Sequence, residues 1–160
     1  MSINIILALS TGLLGGIALT LIYIIISAQS LMFTEDVAKV DFETTVNTLQ
    51  DEVIAKGWKI PVIHDLKETM RKNGKPDVLN AKVFEICHPD LSHRILSNDK
   101  DKVAISMMPC RIAVYEKSDG SVIISRMNAS LIGRLMSGII PKVMKSAASE
   151  SEAIIKKLIK

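Results

Sequence analysis

The chain has 160 residues, with 20 Lys and Arg against 17 Asp and Glu and a net charge of +3, which fits one ordinary domain with an appended segment rather than two domains. Every charged side chain and all three histidines lie beyond Thr34, so the charge belongs to the later part alone. One Trp, two Tyr and three Phe, with no basic run interleaved among them, exclude a base-stacking nucleic-acid surface.

Residues 1–30 read as a transmembrane anchor. At ~1.5 Å per residue, Ile3–Ile26 spans ~36 Å, enough to cross a hydrocarbon core of ~30 Å. A cleaved signal peptide needs a positive leading region, an apolar run of ~7–15 residues and a small-residue cleavage site. Here no Lys or Arg precedes the run, the run is longer, and Ile26-Ser27-Ala28 cleaves poorly, so an uncleaved anchor in the lipid bilayer is expected. Between Leu31 and Glu52, Lys39 is outnumbered by Glu35, Asp36, Asp41, Glu43, Asp51 and Glu52. A shortage of positive charge marks the translocated side, which puts the domain outside the cell membrane, in the periplasm of a Gram-negative cell. Ala8, Gly12, Gly16 and Thr20 recur every four residues. Such a stripe lets two membrane helices approach closely and pack.

After a linker over residues 31–40, an α+β domain is expected over 41–137. Phe42, Val46, Leu49, Val53 and Ile54 make one face of a helix over Asp41–Lys56, with Asp41 as N-cap and Gly57 ending it. Trp58–His64 is a short strand, and Pro61 places it at a sheet edge or a bulge. Asp65–Lys72 is a second helix, capped by Asp65 with Glu68 at the third position and stopped by Asn73-Gly74. Ala81–Cys87 alternates as a strand, and Pro89 opens a helix running to about Ser97. A charged loop over 98–102 follows, then strand character over Val103–Met108. Cys110–Lys117 and Ser121–Met127 form a hairpin around Ser118-Asp119-Gly120. Ala129–Ser137 is a further helix. The final segment, 138–160, is an amphipathic helix from Ile140 with Val143, Ala147, Ser151, Ile154 and Leu158 on one stripe; it packs on the domain or a partner helix, or lies on an anionic membrane surface.

The runs EICHPDLSHRIL at 85–96 and MMPCRIAVYEKSDGSVIISRMN at 107–128, with the opening helix, Gly57-Trp58 and the strand to His64, resemble the family named domain of unknown function 302. The resemblance covers residues 41–128. It implies a compact α+β domain that often dimerises and often accompanies a membrane anchor, and it implies no reaction. The family more commonly carries Asn where this chain has His88, so a role for His88 is not family-wide.

Two readings fit the cysteines. Cys87 closes one strand and Cys110 opens another, each near a proline. If these strands are antiparallel neighbours the two thiols meet as a redox or ligand pair; if the intervening helix makes a parallel crossover they stand far apart. Otherwise both are buried small hydrophobes. His64, His88 and His93 fall near the same strand ends and serve as ligands or as solvent-facing and capping residues. Met107-Met108 beside Cys110 offers soft sulfur suited to Cu(I) or haem iron. Arg111 binds an anion, favours the Cys110 thiolate, or is an exposed strand residue. No nucleophile elbow, zincin helix or P-loop is present, so no catalytic residue is assigned and the cofactor stays open. The expected function is a membrane-anchored binding or assembly module without turnover, as a homodimer or an accessory subunit of a membrane complex. The alternative is a thiol- or sulfur-linked redox protein using Cys87 and Cys110 with a haem or a metal.

Overall fold

The computed structural model describes the backbone of residues 3–160 and the side chains of residue 3 and residues 10–160. It divides into two units, Met1–Met32 and Phe33–Lys160. The first contains one helix, α1 (Ile3–Met32). It is long and apolar enough to cross a membrane. Gly12, Gly16 and Thr20 are solvent-exposed on it, and the Thr20 hydroxyl donates to the Gly16 carbonyl at 2.8 Å. The Ala8 side chain, the remaining member of the stripe, lies outside the described residues.

The second unit is the expected α+β domain, built on a five-stranded antiparallel sheet in the order β1-β5-β4-β3-β2. Strand β1 (Phe33–Val37) falls within the stretch expected to be linker. It pairs with β5 from Phe33↔Met127 to Val37↔Ile123. Its FTEDV sequence carries too much charge to read as a strand, yet an edge strand needs only one paired side, and charge protects the free edge from other chains.

Helix α2 (Phe42–Ala55) starts where expected, with the Asp41 carboxylate accepting from the Thr44 N–H, and Gly57 follows its C-cap with φ 80°. Phe42, Thr45, Val46, Leu49 and Val53 are buried. Ile54, placed on that face by its spacing, is exposed instead. Strand β2 (Lys59–Asp65) is the other sheet edge and carries a bulge between Lys59 and Val62, so Pro61 sits where a missing N–H costs no ladder bond. Asp65 caps α3 (Leu66–Lys72) through the Glu68 N–H. Strand β3 is Ala81–Cys87 and α4 is Pro89–Leu96. Lys102–Met107 forms a 3₁₀ turn, not the expected strand: the apolar Val103, Ile105 and Met107 alternate, but only Ala104 among this turn's residues is buried. Strands β4 (Cys110–Glu116) and β5 (Val122–Met127) form the hairpin, with Gly120 at φ 81° in the turn.

Helix α5 (Ala129–Gly133) is shorter than expected, and α6 (Ile140–Ile155) also stops early. Beyond it the chain returns to β1. Lys39 N–H donates to the Leu158 carbonyl at 2.8 Å and Lys160 N–H to the Val37 carbonyl at 3.1 Å. Leu158 is still buried, as its place in the apolar stripe suggests, but from outside the helix.

Helices α2 and α6 cover one face of the sheet, closing a core of Phe42, Leu49, Val53, Trp58, Phe84, Ile86, Ile112, Val114, Ile124, Ile154 and Ile155 among others. The α6 stripe therefore packs on its own domain. A second cluster of Ile95, Ala104, Ile140 and Val143 gathers α4, the 3₁₀ turn and α6 beside it. The site described next lies where these two clusters adjoin.

Candidate functional site

Strands β3 and β4 are antiparallel neighbours with Ile86 opposite Cys110. Cys87 is one residue further along β3, where the chain turns through His88 into α4. At ~4.8 Å between strands and ~3.4 Å along one, the two cysteine Cα atoms stand ~6 Å apart. The helix between these strands thus does not make a parallel crossover, and the thiols are brought together. Both are free and half-buried. The Cys87 Sγ lies 3.0 Å from the Ser92 hydroxyl, which faces it because Ser92 is one turn into α4. Burial pushes the Cys110 thiol above its ordinary range, and the nearby Cys87 adds to the rise. A thiol held protonated is a poor nucleophile.

Both cysteines line an apolar cavity of about 60 Å³ together with Trp58, His88, Met107, Met108 and Met144. A second chamber of about 180 Å³ shares the wall made by Ile86, Met107, Met108, Pro109, Cys110 and Met144. On this measure a water needs ~10–15 Å³, so the first chamber has room for a few small atoms. Drug-sized ligands need ~300–1,000 Å³. Both chambers are smaller than a haem macrocycle. Among the described residues no group of three or more His, Cys, Asp or Glu side chains is placed to hold a metal ion. The sulfur-rich lining is a different donor set.

The histidines separate. His88 lines the first chamber; its ring stands edge-on to Trp58 with centroids 5.4 Å apart, and its Nε2 is 3.8 Å from a Glu150 oxygen. Glu150 also accepts the Trp58 indole N–H at 3.1 Å. The His88 Nδ1 is buried with no hydrogen-bond partner, an unusual state for a buried polar atom. His64 is not at this end of the sheet. It pairs with Val83, four positions from Cys87, and its Nε2 meets Glu85 at 3.2 Å. His93 is exposed near Ser97.

Arg111 lines the second chamber and not the first. Strand alternation puts Cys110 on the core face and Arg111 on the other, where its guanidinium donates to Glu85 at 3.2 Å. His64 and Arg111 together hold the Glu85 carboxyl below the usual range. Arg111 thus pairs with Glu85 while also lining the second chamber beside Cys110.

Several residues around the chambers gave no signal in the sequence. Met144 lies on α6, 34 residues beyond Cys110 in the chain, and looks like core filler. Gly133 of α5 lets Met144 approach: a Cβ there would stand 2.9 Å from the Met144 Cβ. Arg126 is buried on the core face of β5, lines the second chamber, and forms a two-pronged pair with Glu152 at 2.8 and 2.5 Å while also meeting Asp36. An arginine at an inward position of an otherwise apolar strand was the available hint.

Among curated proteins none matches this chain. The fold is similar to the crystal structure of an uncharacterized conserved DUF302 protein from Bacillus stearothermophilus, with a TM-score of 0.71 and 15% identity over 80% of this chain and 98% of that one. Residues 33–160 match the family described as domain of unknown function DUF302, a range that takes in β1 and the returning C-terminal segment as well as the stretch recognised by its motifs. The chain belongs to the DUF302 family.

Proposed function

We propose that this protein is a membrane-anchored binding module whose site is the apolar, sulfur-lined cavity at the β3–β4 end of the sheet. The observation that carries the reading is the convergence of Cys87, Cys110, Met107, Met108 and Met144 on adjoining, partly open apolar chambers from four different segments of chain. A core that only needed filling would close over such a space, since voids cost stability. Turnover has little support, since burial pushes the Cys110 thiol above its ordinary range. Helix α1 serves as the anchor, with the domain on the outer face of the cell membrane, and its exposed Gly12–Gly16 face packs against a second copy or a partner helix. A thiol–disulfide role for Cys87 and Cys110 is the second reading. Adjacent strands favour it, because ~6 Å between Cα atoms lies within the ~4.4–6.8 Å range of disulfides.

Xenon tests the cavity, since dry apolar cavities take it up. In the full chain in detergent, with methionine methyl groups labelled for NMR, added xenon is expected to shift the Met107, Met108 and Met144 signals and leave Met70, half-buried on α3 and away from both chambers, unmoved. Ala147→Leu, which fills the wall common to both chambers, should abolish the shifts. Unmoved Met107, Met108 and Met144 signals would mean the cavity is closed and the binding reading wrong.

A further inference from the structure

The cavity wall combines donors that rarely occur together by chance. Two cysteines stand on neighbouring strands, and three thioethers share their space. The one imidazole among them leaves its buried Nδ1 without a partner. No carboxylate lines either chamber, and Glu150 is already occupied by the Trp58 indole. Hard cations need oxygen ligands and structural zinc takes four Cys, His or carboxylate ligands, which this wall does not offer. Thiolate and thioether ligands select soft, low-valent ions. A chamber of about 60 Å³ suits a bare ion that needs only two or three ligands and retains no water.

We propose that the cavity is a binding site for a monovalent copper ion, held by Cys87 and Cys110 with a thioether from Met107, Met108 or Met144. This rests on the cavity being a ligand site, and it goes further by naming the ligand. On binding, two Cu–thiolate bonds and one Cu–thioether bond form in place of the ion's bonds to its carrier, each thiol gives its proton to solvent, and no electron is transferred; the product is a bis-thiolate complex carrying one net negative charge. A bound cation deprotonates a coordinating thiol outright.

The test is an anaerobic titration of the full chain in detergent, reduced with ascorbate, against Cu(I) held by the chromogenic chelator bicinchoninate. The protein is expected to withdraw one equivalent of copper, develop near-ultraviolet thiolate-to-copper absorption and release two protons per ion. Cys110→Ser should weaken binding by more than the ~10–100-fold that follows loss of a mere supporting group. If the cysteine variants misfold, Met144→Leu keeps the volume and therefore the fold, and should weaken binding about tenfold if that thioether is the ligand, with Met107→Leu and Met108→Leu doing so in its place otherwise. Copper left on the chelator by the wild-type chain would overturn the proposal, as would binding indifferent to both cysteines and to all three methionines. If xenon still enters the cavity in that event, the binding reading stands and only the copper assignment falls; if xenon is also refused, both fall.

Discussion

Asp101 shows how much structure around the site depends on single polar residues. It is 2% exposed. Its Oδ1 accepts the Ile139 N–H at 3.3 Å, at the start of α6, and its Oδ2 accepts from Asn98 at 2.6 Å. Helix α6 has no side-chain cap of its own, so a residue from a distant loop supplies one. Gly138 makes room for this: it has φ 67°, and a Cβ there would fall 2.3 Å from the Asp101 Oδ1. Asp101→Ala strands the Ile139 N–H and the Asn98 amide and is expected to destabilise the domain by about 2 kcal/mol, in line with charged hydrogen bonds elsewhere. Gly138→Ala combines backbone strain with the clash and should cost at least ~1 kcal/mol. Thermal unfolding of the full chain checks both, and stability unchanged in either variant would contradict the capping role. Neither interaction was legible in the sequence. Asp101 sits in a run, SNDKDK, that reads as solvated loop, and its partner is 38 residues away in the chain. Local signals were readable where both partners were local: Asp41 with Thr44, and Asp65 with Glu68.

At the scale of elements, strands with alternating apolar residues and helices with adjacent caps were legible, and β1 was not. Its stability comes from neighbours in space. Asp36 meets Arg126 of β5, which also holds Glu152 of α6, while Tyr115 and Lys117 both bind Glu35. The charges that made the segment resemble a linker are the ones that fasten it. The cysteine pair was legible only as a conditional, because pairing order depends on which strands become neighbours, and a β3–helix–β4 succession allows either sense. In α1 the small-residue face can be tested without ambiguity. A Cβ at Gly12 or Gly16 meets nothing within 4 Å, so bulk added there disturbs no contact among the described residues. Gly12→Leu with Gly16→Leu is expected to leave the domain's unfolding unchanged and to weaken self- or partner association roughly tenfold, the scale of model helix contacts in membranes. Size-exclusion and co-purification in detergent read the result; unchanged behaviour would make the stripe incidental.

For the whole molecule, the fold class was readable because strands and helices segregate clearly by period after residue 41, while the full lining of the site was not, because it is assembled from segments spread between Trp58 and Ala147. The expected placement outside the cell is tested at Lys160, whose N–H is bound to Val37 at the sheet edge and which therefore travels with the domain. A protease-cleavable tag after Lys160 should be cut in spheroplasts without lysis. A tag protected until lysis would put the domain in the cytoplasm, where a lasting disulfide between Cys87 and Cys110 is disfavoured.

Strand β1 starts at Phe33, directly after α1 ends at Met32. With α1 embedded in lipid, the domain patrols two dimensions rather than three. Any macromolecule it meets must be resident in the same bilayer or come to its surface, and only solutes small enough to diffuse there can be collected from farther away.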